Sequence, residues 1–204
     1  MTKINEGNEK LTAVLQKARD AESAGNNASA FELFRLAYNL EPSRLSAAYR
    51  AALNLIEVGR ISDAEAFLNK VLSDPKGKKW LVELALGQIR TAQFRPEEAE
   101  AHFRRARELN RASTSPAVLL ADCLFKQEKF EEAKAVLLEA VHCEGDLDEV
   151  FLNLGLVMRA QGHYESAKAY LMKALEISPE YDSAKVALAD VEMWLNAAER
   201  SGSA

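Results

Sequence analysis

DEVFLNLGLVMRAQGHYESAKAYLMKALEISPEY, residues 148–181, is the stretch that decides the fold. Phe151, Leu154, Gly155 and Met158 are spaced by three, one and three, which places them on one face of a helix. Gln161, Gly162 and His163 break the pattern, and Ala167, Leu171 and Ala174 then form a second apolar stripe. Pro179 stands where that second helix must stop. The segment reads as a helix–turn–helix hairpin.

The same pattern recurs at a period of 34 residues. Residues 114–147 repeat it through Ala117, Leu120, Ala121 and Leu124, then Ala133, Leu137 and Ala140. Residues 80–113 carry Leu86 and Gly87, then Ala99, Phe103 and Ala106, with Glu83 and Arg90 in place of two apolar residues. With Lys79 treated as an insertion, residues 45–78 follow through Ala48, Ala51, Ala52 and Leu55, then Ala64, Leu68 and Val71. Residues 11–44 complete the series through Val14, Ala18 and Ala21, then Ala30, Phe34, Ala37 and Pro42. A small residue in each first helix (Ala18, Ala52, Gly87, Ala121, Gly155) stands twelve positions before an Ala of the second, from the first hairpin to the last. Facing small residues let antiparallel helices approach closely, and the large neighbours fill the grooves between turns.

This register resembles that of the tetratricopeptide repeat family over residues 11–181, most sharply in Phe151 to Gly155, Gln161 to Tyr164, Ala167, Ala174 and Pro179. Lys17, Glu83, Arg90, Arg111 and Gly145 depart from the family pattern. Periodicity and resemblance give one expectation: an all-α, right-handed α-α superhelix of five hairpins (11–44, 45–78, 80–113, 114–147, 148–181). Residues 1–10 are expected as a tail, 182–200 as a C-terminal capping helix and 201–204 as a frayed end. In that capping helix Ala184, Ala187, Leu188, Val191, Trp194, Leu195 and Ala198 share one side. Val186 and Met193 lie on the other, either as scattered surface apolars or as a self-association patch.

Composition agrees with long helices. Nine glycines and five prolines in 204 residues leave few turns, and 48% apolar with 28% charged residues is ordinary for a globular chain. No signal-peptide core stands in residues 1–10, and the longest apolar run, Ala117 to Ala121, is far short of the ~20 residues a bilayer crossing needs. A cytoplasmic location without membrane insertion is therefore expected. Residues 1–113 hold 18 basic and 15 acidic side chains, and residues 114–204 hold 8 and 16, so the charge is lopsided along the chain.

Chemistry-bearing residues are sparse. Three histidines and two cysteines match no zinc spacing, and no phosphate-cradling or nucleophile motif occurs, so neither catalysis, metal nor cofactor is expected. Glu144 and Asp146 beside Cys143 oppose thiolate formation. The basic cluster Arg104, Arg105, Arg107 and Arg111 shares its helix with Glu97, Glu98, Glu100 and Glu108, Glu100 standing four residues before Arg104, and reads as a solvated helix face rather than a nucleic-acid site.

What remains is recognition of another protein or peptide. The resemblance implies that first helices line a concave groove holding a partner segment. Residues there that the packing stripes leave unused are Leu15, Arg19, Tyr49, Leu53, Ile56, Leu81, Leu84, Gln88, Val118, Asp122, Phe125, Lys126, Leu152, Leu156 and Arg159. Tyr49 and Phe125 stand out, because aromatic anchors carry much interface energy. The carboxylate clamp of some relatives is not reproduced, since its places hold Leu15 and Arg19, then Leu81 and Ala85. The expected function is a non-catalytic adaptor, assembly factor or chaperone-like scaffold. The alternative is a structural protein that forms a homo-oligomer through its terminal helix.

Overall fold

A computed structural model describes residues 2–73 and 79–202. Eleven helices run through them: α1 (Thr2–Ser23), α2 (Asn27–Leu40), α3 (Leu45–Glu57), α4 (Ile61–Leu72), α5 (Lys79–Ala92), α6 (Pro96–Leu109), α7 (Thr114–Lys126), α8 (Phe130–Ala140), α9 (Leu147–Ala160), α10 (Tyr164–Ile177) and α11 (Asp182–Gly202). The fold is all-α. Contacts divide the chain into two compact units, residues 1–109 with α1–α6 and residues 110–204 with α7–α11.

In the first unit α1 pairs with α2, α3 with α4 and α5 with α6, and α3 lies beside α5. In the second unit α7 pairs with α8 and α9 with α10, α7 lies beside α9, and α11 packs on α9 and α10. The periodic residues form the cores: Ala30, Phe34, Ala37, Ala48, Ala52, Leu55, Ala64 and Leu68 in the first, Leu120, Leu124, Leu137, Leu154, Ala167 and Leu171 in the second. Gly87 lies against the ring of Phe103, and Gly155 lies against Leu171 and the carbonyl of Ala167.

Two ends differ from the sequence reading. α1 is helical from Thr2, although residues 1–10 were expected as a tail. Thr2 to Lys10 carries no apolar stripe to announce a helix, but neither glycine turn nor proline stops α1 from extending past its packed part. α11 likewise includes Ser201 and Gly202, and the rest of the expected frayed end lies outside the described residues. Lys79 opens α5, while the preceding residues 74–78 also lie outside.

Each hairpin turns through one residue with positive φ: Gly25, Gly59, Phe94, Glu128 and Gly162. Each first helix closes with the same six-residue backbone bond, as from the Arg95 amide to the Arg90 carbonyl at 2.9 Å. Phe94 holds φ 57° although its ring is 93% exposed and packs against almost nothing. A side chain in that conformation costs about 1 kcal/mol. Phe94→Gly is therefore expected to stabilise the first unit by about 1 kcal/mol, seen as a higher urea midpoint at unchanged slope. A lower midpoint would show that the ring has a stabilising contact.

The fourth hairpin is closed differently. Ser113 and Glu144 form a parallel bridge, with the Thr114 amide on the Glu144 carbonyl at 3.0 Å and the Glu144 amide on the Ala112 carbonyl at 2.7 Å. Thr114 is buried, and its Oγ1 accepts the Asp146 amide at 3.1 Å. Gly145, at φ 128°, leaves no room for a side chain, since a Cβ there would stand 2.3 Å from Thr114 Oγ1. This accounts for Gly145 where the first and fifth hairpins carry Pro42 and Pro179.

Candidate partner-binding faces

The third hairpin's departures from the apolar pattern are satisfied side chains. Glu83 on α5 bonds His102 Nδ1 on α6 at 2.7 Å, and both are largely buried. Arg90 on α5 reaches Glu65 on α4 at 2.7 and 3.3 Å and Gln93 at 2.8 Å, with Glu98 3.2 Å from its Nε. Arg104 of the basic cluster is held by Glu100 at 2.7 Å. Both cysteines are free thiols. Among the described residues no group of three or more His, Cys, Asp or Glu side chains could hold a metal ion.

On the first unit's first helices, Leu15, Tyr49, Ile56 and Leu81 are half-buried against the core, Leu53 is half-buried and Arg19 is exposed. The Tyr49 hydroxyl on α3 donates to Gln88 Oε1 on α5 at 3.1 Å. Burial pushes the Tyr49 hydroxyl above its ordinary pKa, with the Gln88 bond pulling the other way. Tyr49 is thus a fixed ring spanning two helices. Leu84, expected on the partner-facing side, is only 1% exposed and offers no surface. The sequence reading also passed over Glu22, which ion-pairs with Arg50 and accepts from Asn54 Nδ2 at 2.9 Å. Asn54 is buried within the apolar run Ala51 to Leu55, and that misplaced polar residue was the available signal.

On the second unit's first helices, Val118 and Leu152 are buried, contrary to their expected place on the partner-facing side. Spacing assigns a side chain to a face of its helix but does not show how closely the neighbouring helices cover it. Leu156 is half-buried. Phe125 packs edge-on to Phe130, centroids 5.4 Å apart, so its ring is positioned by its own hairpin. Lys126 pairs with Asp122 at 2.7 Å, and Arg159 on α9 pairs with Asp190 on α11 at 2.8 Å.

Glu149, in the first turn of α9, was missed because nothing in the acidic stretch around it announces that its carboxyl is half-buried. Burial first, then Asp146, Asp148 and Asp122, push its carboxyl above the ordinary value of 4.5. Tyr181 is raised by burial and by the same group of carboxylates. A raised carboxyl is destabilising once ionised: the folded protein holds its proton more tightly than the unfolded chain, so stability falls as pH rises from about 4.5 through the folded value. Glu149→Gln is expected to raise the melting temperature at pH 7, with the gain closing as pH drops below 4.5. Equal melting of the two proteins at pH 7 would contradict this.

Tetratricopeptide repeat models match the chain over residues 90–153 and over residues 148–181. Residues 90–181 are tetratricopeptide repeats. That fold is a protein–protein interaction module. Among solved structures, TTC0263, a thermophilic tetratricopeptide repeat protein of Thermus thermophilus, is similar at TM-score 0.74 and 19% identity, covering 90% of this chain and 99% of its own. YrrB, described as a tetratricopeptide repeat protein with an unusual peptide-binding site, is similar at TM-score 0.57 and 22% identity, over 91% of this chain and 95% of its own. The second such domain of human RPAP3, solved with an HSP70 peptide, is similar at TM-score 0.51 and 21% identity, over 54% of this chain and 92% of its own. At these identities the likeness to the solved structures is one of fold. No curated protein matches the chain in sequence. Among the described residues no helix is long and apolar enough to cross a membrane.

Proposed function

We propose that the protein is a non-catalytic adaptor or scaffold that binds an extended or helical segment of another protein along the first-helix faces of its units. The observation that carries this reading is that half-buried apolar and aromatic side chains outside the repeating stripes line those helices: Tyr49, Leu53, Ile56 and Leu81 in the first unit, Phe125 and Leu156 in the second. Such side chains can bury further surface against a partner without unpacking a hairpin. Peptide binding by YrrB and by the RPAP3 domain shows that the fold can be used so, and supports the same use here.

Affinity capture tests the proposal, with wild type beside the double variant Tyr49→Glu, Phe125→Glu, after both are shown to melt alike. The expected result is a protein retained by wild type and lost by the variant. Identical capture by both would remove the first-helix faces as the working surface.

A further inference from the structure

We infer that the α7–α9–α11 face of the second unit takes a basic, amphipathic segment of a partner protein. The inference rests on the first-helix faces being the binding surface, and names which unit works and the chemistry it accepts.

The face continues onto α11. Arg159 reaches across from α9 to Asp190 at 2.8 Å, and Leu156 lies three residues before Arg159 on the same side of α9. Val186 stands four residues before Asp190 and Met193 three after it, so both share Asp190's side of α11. They are 65% and 64% exposed, whereas Ala184, Ala187 and Val191 on the other side are buried. Two large apolar residues aligned with a cross-helix ion pair are a strip, not scatter. Trp194, next to Met193, is fixed by stacking on Tyr164 at 5.8 Å. Leu156, Val186 and Met193 thus offer an apolar track for one side of a helix.

Charge selects the occupant. Lys126 and Arg159, the cations on this face, are already paired with Asp122 and Asp190. Asp146, Asp148 and Glu149 remain at its α9 end, and the Glu149 carboxylate has no hydrogen bond or ion pair among the described residues. A lysine or arginine brought there gives Glu149 the counter-charge it lacks, against the burial and the neighbouring carboxylates that disfavour its ionised form. The acidic excess of residues 114–204 steers a cationic segment toward the face and repels an anionic one.

The test pans a phage-displayed library of random 16-residue peptides on the full chain. The expected binders combine Lys or Arg with Leu, Ile or Phe at three- and four-residue spacing. A synthetic peptide from that set is expected to lose at least tenfold in affinity on the double variant Val186→Ser, Met193→Ser. It is expected to lose several-fold on Glu149→Gln and nothing on Glu176→Gln, an exposed acid of α10. Acidic binders, or basic binders weakened equally by Glu176→Gln, would overturn the inference. So would a dimer in light scattering that the Val186, Met193 variant dissolves, since a second copy would then cover the strip. Binders lost on Leu53→Glu instead would overturn it while leaving the first-helix faces as the binding surface. An empty selection, or binders affected by none of these changes, would overturn both.

Discussion

Gly155→Leu is expected to destabilise the second unit by about 3 kcal/mol, the upper part of the range for overpacked cores. A β-carbon at Gly155 would stand 2.6 and 2.8 Å from Leu171 Cγ and Cδ2 and 3.3 Å from the Ala167 carbonyl oxygen. Leu171 and Ala167 are fully buried, so the side chain has no free space to enter and the carbonyl belongs to the backbone of α10. Gly155→Ala already brings in that β-carbon, and its gain of about 1 kcal/mol of helix propensity over glycine offsets only part of the cost. Leucine gains nearly as much helix propensity but adds three more carbons to that contact. At roughly 4–8 °C per kcal/mol for a domain of this size, the melting temperature should fall by more than about 10 °C. Leu171→Ala in the same chain should restore part of the loss, because the two residues share one site. A melt of Gly155→Leu within about 2 °C of wild type would show that α9 and α10 do not meet in this register.

Glu65→Ala is expected to cost the first unit about 2 kcal/mol, because it leaves most of a charged guanidinium without its main partner. The Arg90 side chain is only 14% exposed, and Glu65 supplies two of its short contacts. Glu98 and Gln93 remain and keep the loss below that of an isolated buried charge. Arg90→Met should cost less than Glu65→Ala, since the stripe expects an apolar residue there and the carboxylates it leaves, Glu65 and Glu98, are better hydrated than the guanidinium. The hydrogen bond from Arg90, followed by its charge, holds the Glu65 carboxyl below 4.5 despite partial burial. A lowered folded pKa gives stability that is present above the unfolded value and disappears as pH falls through the folded one. Wild type and Glu65→Ala should therefore differ fully at pH 7 and converge below pH 4.5. Arg90→Met falling further than Glu65→Ala in urea melts would mean that the guanidinium stem, not the charge, matters here.

The fold was legible because its determinants are local and repeated. Small residues at Ala18, Ala52, Gly87, Ala121 and Gly155 mark where two helices must touch, and a period of 34 residues makes each occurrence support the next. The start of α1 at Thr2 was hidden because its first turns are polar and carry no stripe. The faces were legible only by side of helix. Leu84, Val118 and Leu152 stand fifth in their hairpins and are buried, whereas Leu53 and Leu156 stand ninth and are partly open, and Tyr49, also fifth, is only half-buried, so closeness of the neighbouring helices adds to place in the repeat. Tyr49 with Gln88 and Arg159 with Asp190 join residues 39 and 31 apart in sequence, and no short-range spacing announces either pair. Glu149 escaped notice because its raised carboxyl depends first on burial, which the acidic stretch Asp146 to Glu149 does not announce.

The bridge between Ser113 and Glu144 ties the two ends of the α7–α8 hairpin to each other, so neither end can fray independently of the other. Amide hydrogens of Thr114 and Glu144 lie outside the regular helix ladders but are held on the Glu144 and Ala112 carbonyls. In deuterated water they should exchange on the slow schedule of the surrounding core, while the Arg44 amide, held only by the local turn to Glu41, exchanges early. The fourth hairpin then opens as one piece, and its connecting segments report the same opening event as its helices.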